Sequence, residues 1–240
     1  MKNVFITGAN RGIGLETAKQ LAQRDYFVYM GSRNQAKGEQ AKEALQRMGL
    51  DNIDLLELDV DVMDSVKKAK RFLEGKIPRL DVLINNAGIR GDIPQPASKI
   101  PIERLKEIFE TNFFGAIRVT QEFLPLLEKS ERPIIVNVTS DLGSLTFQGD
   151  HNQEGFKFER AGYGSSKTAL NAYTVALAGE LRGSKFKVNC VNPGFTATEL
   201  NNYKGTKPVT QGAAVIVKYA ILDKNGPTGR YFSEEGETPW

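Results

Sequence analysis

The run Asn3-Val-Phe-Ile6 stops at a glycine-rich turn, Thr7-Gly-Ala-Asn-Arg-Gly-Ile-Gly14, and a helical pattern of Leu15, Ala18, Leu21 and Ala22 begins directly after it. No other stretch restricts the fold as much. Glycines at a strand-to-helix turn allow φ > 0 and let a bulky anion approach the backbone, while the following helix offers it unpaired N–H groups. The spacing is Gly-x-x-x-Gly-x-Gly. It differs from the commoner Gly-x-Gly-x-x-Gly turn and lacks the Gly-Lys-Ser/Thr ending of a P-loop. The ligand expected at this turn is a pyrophosphate.

The same alternation repeats along the chain. Short apolar runs rich in β-branched residues lie at 3–6, 27–30, 53–56, 82–84, 134–138, 188–191 and 229–232. Between them, helical periodicity predicts helices near 13–24, 35–48, 63–75, 103–129, 162–182 and 210–222. This spacing implies parallel strands joined by right-handed crossovers, hence a single doubly wound α/β domain over residues 1–240, with about seven strands and helices on both faces. Ligands then bind beyond the carboxyl ends of the strands, and the polar connections 90–101, 141–162 and 195–207 are the expected walls of a substrate pocket.

Composition excludes several classes. A chain with one cysteine and one histidine does not supply the three or four ligands of a Cys/His zinc site, so no metal is expected. Cys190, within Val188-Asn-Cys-Val191, reads as a buried small side chain. His151 lies in a polar stretch without a Gly-x-Ser-x-Gly elbow, which argues against a serine-hydrolase triad. A net charge of +3 is too small to indicate nucleic acid, and Lys67-Lys-Ala-Lys-Arg71 falls on a predicted helix as a solvated face. No apolar run approaches the roughly 20 residues that cross a bilayer. The first residues run straight into the glycine turn, leaving no room for a secretion signal, so a cytoplasmic protein is expected.

Two Tyr-x-x-x-Lys pairs occur, Tyr163/Lys167 and Tyr203/Lys207. On a helix, residues four apart share a face, and a nearby cation lowers the pKa of a phenol that otherwise titrates near ~10. The second pair contains Gly205 and precedes Pro208, so it reads as a loop. Only Tyr163 and Lys167 lie within a helical pattern.

The combination of Thr7-Gly-Ala-Asn-Arg-Gly-Ile-Gly14 with Tyr163-Gly-Ser-Ser-Lys167 resembles the short-chain dehydrogenase/reductase family, whose domain is of the Rossmann type. Further matches follow in family order along nearly the whole chain: Asp59-Val60, Asn85-Asn-Ala-Gly88, Asn112, Ser140 at the end of Val136-Asn-Val-Thr-Ser140, and Pro193-Gly194. The resemblance implies a catalytic set of Asn112, Ser140, Tyr163 and Lys167. Tyr163 would exchange the proton of the carbonyl or alcohol oxygen, and Lys167 would lower its pKa and hold the nicotinamide ribose. Ser140 would hydrogen-bond the substrate oxygen, and Asn112 would hold a water linking Lys167 to solvent.

It also implies a cofactor site formed by Gly8, Asn10, Arg11, Gly12, Ile13, Gly14, Ser32, Arg33, Asp59, Val60, Asn86, Ala87, Gly88, Tyr163, Lys167, Pro193, Gly194, Thr196 and Thr198. Asp59 stands where the family contacts adenine, and Thr196 and Thr198 where it touches the carboxamide. The second strand ends in Ser32 where members using NAD carry Asp, and Arg33 follows. A planar guanidinium suits the 2′-phosphate of NADP(H), with Arg11 as a second partner, so NADP(H) is the expected cofactor.

Ser140 and Tyr163 are 23 residues apart by number (163 − 140), wider than in most members. Ser144 would shorten the gap but fits the strand-end motif less well. Together with Asn10-Arg11 and Gly226-Pro-Thr-Gly-Arg-Tyr-Phe232, the insertion resembles the carbonyl-reductase branch, where it can cover the helix face used for oligomerisation. A monomer and a homo-oligomer both stay open. The leading expectation is an NADPH-dependent reductase of a small ketone or aldehyde. Its pocket would be lined by apolar loop residues Ile93, Pro94, Pro96, Leu142, Leu145, Phe147, Phe156, Phe158 and Phe195. Alternatives are an alcohol, sugar or 3-oxoacyl-thioester member of the family, or a non-catalytic dinucleotide-sensing regulator, which would typically lack the tyrosine.

Overall fold

Along the first strand, β1 (Lys2–Ile6), Val4 and Ile6 pack into the core on one side of a sheet while Phe5 packs into the core on the other. Such two-sided burial is what a parallel sheet covered by helices requires. The structure is a computed structural model that describes residues 1–150 and 160–240. The calls on His151, Phe156 and Phe158 lie outside the described residues.

The remaining strands are β2 (Tyr26–Ser32), β3 (Ile53–Glu57), β4 (Val82–Asn85), β5 (Ile134–Val138), β6 (Lys187–Val191), β7 (Tyr231–Ser233) and β8 (Gly236–Glu237). They form one sheet in the order β3-β2-β1-β4-β5-β6-β7-β8. Every pairing is parallel except β7 with β8. The sheet therefore exceeds the expected seven strands by one short antiparallel edge, because the chain turns back after Ser233 and pairs Gly236 with it. β7 also starts at Tyr231 rather than at Gly229, whose φ of +67° belongs to a turn.

Helices α1 (Gly12–Ala22), α2 (Gln35–Gln46) and α8 (Val209–Ala220) cover one face, over a core including Leu21, Leu45 and Ile216. Helices α3 (Met63–Lys76), α5 (Gly115–Leu127) and α7 (Ala161–Glu180) cover the other, over Leu73, Phe123 and Leu177. The long helix expected over 103–129 is divided. A wide π-helical turn, Glu110–Phe114, separates α4 (Ile102–Phe109) from α5 and contains Asn112. Single-turn π insertions of this kind are frequent at functional sites. After Ser140 come a 3-10 turn, Asp141–Gly143, and a short helix, α6 (Leu145–Gly149). No described helix is long and apolar enough to cross a membrane.

β1 and β4 are neighbours in the sheet although β2 and β3 intervene in sequence. The chain thus winds in opposite directions from this pair, and a crevice opens at the strand ends between them.

Candidate active site

A cleft lies at that crevice, lined by residues from four strand ends: Gly8 to Gly14 after β1, Arg33 after β2, Leu58 to Asp61 after β3 and Asn86 to Ile89 after β4. Its floor is held by Thr7 and Asn86. The Thr7 hydroxyl accepts from the backbone N–H groups of Asn86 and Ala87 at 3.0 and 2.9 Å. The Asn86 amide donates back to the carbonyls of Thr7 and Gly8 at 2.9 and 3.0 Å. Two glycines are required for this closeness. A Cβ on Gly8, whose φ is +63°, would meet Ala87 Cα at 2.9 Å, and one on Gly14 would lie 2.5 Å from both Asn86 Nδ2 and the Gly8 carbonyl. The N-terminus of α1 has no side-chain cap and no acidic residue in its first turn, so its N–H groups remain available to an anion.

At the far end of the cleft, Asp59 accepts from Asp61 N at 3.0 Å, and Arg33 is exposed. Ser32 is placed differently from the expectation. It is 2% exposed and donates to the Asn34 carbonyl at 2.9 Å, beneath the cleft rather than in its lining, because β2 extends to include it. Arg11 reaches the opposite rim, where its guanidinium pairs with Glu199. Its charge is thus shared across the mouth, while the Arg33 guanidinium has no ion pair among the described residues. Thr198 lines the same rim, whereas Thr196 is buried and donates to the carbonyls of Pro193 and Gly194 at 3.0 and 3.2 Å.

Beyond the cleft, four predicted residues converge. Asn112, 1% exposed, clasps the backbone of Ile89: its Oδ1 accepts from Ile89 N at 2.8 Å, and its Nδ2 donates to Ile89 O at 2.9 Å and to Ser166 Oγ at 3.0 Å. The side chain braces the loop against α7. Ser166 Oγ in turn donates to Tyr163 O at 2.7 Å. Lys167 is buried and donates to the Val138 carbonyl at 2.9 Å, with its Nζ 5.8 Å from the centre of the Tyr163 ring.

Burial dominates the electrostatics of this pair. It drives the Tyr163 phenol up to about 12, with the nearby Asp141 carboxylate adding to the rise and a hydrogen bond from Ser140 opposing it. It drives the Lys167 ammonium down to about 8. Burial thus outweighs the lowering expected from the lysine, whose Nζ is directed at a backbone carbonyl. At neutral pH the phenol is a protonated donor.

Ser140 lies beside that phenol. Its hydroxyl donates to Asp141 Oδ1 at 2.8 Å and accepts from Leu142 N at 3.3 Å. Ser144 is fully buried in a capping role, accepting from Phe147 N at 3.1 Å and donating to the Pro239 carbonyl at 2.8 Å. The Tyr203/Lys207 pair is a loop, as its glycine and proline indicated. Tyr203 has φ +57° and Lys207 pairs with Glu234 at 2.7 Å. Cys190 is buried, and its thiol is pushed up to about 12 by burial.

Three contributors carried no motif. Gln95, 3% exposed, donates to the carbonyls of Arg90 and Asp92 at 2.8 Å each and accepts from Tyr163 N at 3.0 Å, fixing the start of α7. Tyr231 donates from its hydroxyl to the Ser140 carbonyl at 2.7 Å and stacks on Trp240. Asp141 holds the Ser140 hydroxyl. Only Gln95 had a signal, as a polar residue between two prolines in Ile93-Pro-Gln-Pro96.

A cleft of about 430 Å³ is lined among the described residues by Arg90, Arg160 and Lys204, with Asp92 and asparagines, and by Ile93 and Phe195. Of the other apolar residues expected in a pocket wall, Pro94, Pro96, Leu142, Leu145 and Phe147 are outside this lining, and Leu145 is 64% exposed.

A family model described as "short chain dehydrogenase" matches residues 2–208. Short-chain dehydrogenase/reductase 1 of Saponaria officinalis is 31% identical, over 98% of this chain and 95% of its own. Among solved structures, salutaridine reductase from Papaver somniferum superposes with a TM-score of 0.85 at 29% identity, covering 98% of this chain and all of that one. The protein ElxO with NADP bound superposes with a TM-score of 0.83 at 28% identity, covering 97% and 96%.

Proposed function

Since the chain belongs to the short-chain dehydrogenase family, we propose that it is an NADPH-dependent oxidoreductase that reduces a ketone or aldehyde to an alcohol, with Tyr163 as the general acid. The observation that carries this reading is the placement of Tyr163 beside the Ser140 hydroxyl and over Lys167, at the end of a cleft whose glycine floor has no room for side chains. The similar solved structures, a salutaridine reductase and a protein with NADP bound, support it.

The cleft fits the cofactor on three counts. The uncapped N-terminus of α1 suits the pyrophosphate, Asp59 and Val60 border the adenine end, and Arg33 is free for a 2′-phosphate. When bound, NADPH supplies the hydride to the carbonyl carbon. The protein supplies the proton: Tyr163 transfers it from its hydroxyl to the carbonyl oxygen. Ser140 stabilises charge developing on that oxygen, which requires its O–H to turn from Asp141 toward the substrate. Lys167 sits beside Gly88 and faces the Tyr163 ring, where its ammonium would hold the nicotinamide ribose. Asn112 fixes the Ile89 loop against Ser166 and so sets the distance between the cleft and α7.

We also propose a single domain over residues 1–240, a cytoplasmic location consistent with one buried free thiol, and a monomer, supported by the long connection after Ser140. NADPH consumption against aromatic ketones, α-dicarbonyls and aldehydes tests the activity. Turnover of at least one class with NADPH is expected, and absence of turnover on all of them overturns the reading.

A further inference from the structure

The walls of the second cleft are built for charge. Arg90 and Arg160 form no ion pair with any described residue, while Asp92 is already paired with Arg104 at 3.0 Å and its carboxylate is largely in solvent. Arg90 carries a further mark: its Nε is buried and has no hydrogen-bond partner. A buried guanidinium N–H without an acceptor is costly, since it has lost water and gained nothing. Its backbone is held firmly, because Gln95 donates to the Arg90 carbonyl at 2.8 Å and Gly91, at φ +70°, packs under Ile108. The open donor is therefore part of a fixed loop.

Arg160 stands at the N-terminal boundary of α7, three residues before Tyr163, and Gln95 ties the Arg90 loop to the same helix end, donating to the Arg90 carbonyl and accepting from Tyr163 N. The two guanidinium charges also oppose the rise of the Tyr163 phenol. A substrate presenting a carbonyl to Tyr163 can therefore extend toward the cleft that Arg90, Arg160 and Lys204 line.

We propose that the substrate is an anionic carbonyl compound, with a carboxylate or phosphate close to the carbonyl that is reduced, and that Arg90 and Arg160 bind this anion. Arg90 is a specificity residue, and its guanidinium donates to an anion oxygen. The reaction leaves the anion unchanged: hydride adds to the carbonyl carbon, Tyr163 protonates the oxygen, and the product is the hydroxy acid or hydroxyalkyl phosphate. This deepens the carbonyl-reductase reading and rests on it.

The test compares kcat/KM with NADPH for an aromatic α-oxo acid, its neutral methyl ester and a phosphate-bearing ketone. We expect the acid or the phosphate to exceed the ester by about 10- to 100-fold, the usual effect of a charge-assisted hydrogen bond. That excess should shrink as salt is raised. In Arg90→Met the anion-to-ester ratio should fall at least about tenfold, and Arg90→Lys should restore part of it. Which of the two anions is preferred identifies its source. An ester reduced as well as both anions, or a ratio unmoved in Arg90→Met, overturns the proposal and leaves the carbonyl-reductase reading standing. If none of the three is reduced, that reading fails for these classes. Calorimetric titration of the oxo acid and its ester into the NADP-loaded protein then decides anion recognition on its own: tighter binding of the acid supports it, and equal binding overturns it.

Discussion

Replacing Gly14 with alanine tests whether the cofactor cleft depends on the weld between the first and fourth strand ends. The added Cβ would lie 2.5 Å from Asn86 Nδ2, 2.5 Å from the Gly8 carbonyl and 3.0 Å from Ala9 Cα. The Asn86 amide can rotate away, but only by releasing its bonds to the carbonyls of Thr7 and Gly8. The Gly8 carbonyl cannot move without shifting the turn itself. Overpacking costs about 1–3 kcal/mol, and two hydrogen bonds add about 0.5–1.5 kcal/mol each. Gly14→Ala should therefore lose roughly 2–6 kcal/mol in urea unfolding and bind NADPH at least about tenfold more weakly by fluorescence titration. Gly75 and Gly179 are the controls. Both are helical with nothing within 4 Å of an added Cβ. Alanine there should stabilise by up to about 1 kcal/mol through helix propensity. A Gly14→Ala protein that unfolds within about 0.5 kcal/mol of the parent, within the range of unremarkable substitutions, and binds NADPH equally well refutes the reasoning.

Arg33→Ala should raise the KM for NADPH by about 10- to 100-fold while leaving NADH within a few-fold; equal losses for the two cofactors would remove the 2′-phosphate role. Asp141→Asn keeps an acceptor for the Ser140 hydroxyl but deletes a charge that raises the Tyr163 pKa. Reduction needs the protonated phenol, so the rate falls as pH rises through that pKa, and the substitution should start the fall at lower pH. A limb that stays in place or moves upward contradicts the assignment. Light scattering should return a mass near 26.6 kDa for the NADPH-bound protein; a stable dimer would show that the connection after Ser140 does not shield the helical face.

The fold was legible because each strand carries its own local signal. β1, β4 and β5 are short β-branched runs buried on both faces, and the glycine turn marks where the first crossover begins. The edge hairpin of β7 and β8 was not legible, since two residues pairing across a turn leave no periodic pattern. The π turn at Asn112 was hidden for a related reason: an inserted residue within a continuous helical pattern changes the hydrogen bonding but not the composition. In the site, Tyr163 and Lys167 were legible from their helical spacing, and Ser140 and Asn112 from the family resemblance. Gln95 and Tyr231 were not, because their contacts bridge segments far apart in the chain, and Asp141 was not, because its hold on the Ser140 hydroxyl depends on the path of the turn.

The central claim is that the Tyr163 hydroxyl delivers the proton. Tyr163→Phe retains the ring, and the phenol is not among the residues lining the cofactor cleft. With a ketone turned over by the parent, kcat should fall by about 10²- to 10⁴-fold, with the NADPH dissociation constant changed less than about threefold, a difference within 1 kcal/mol. A Tyr163→Phe enzyme that turns over within a few-fold of the parent would contradict the account.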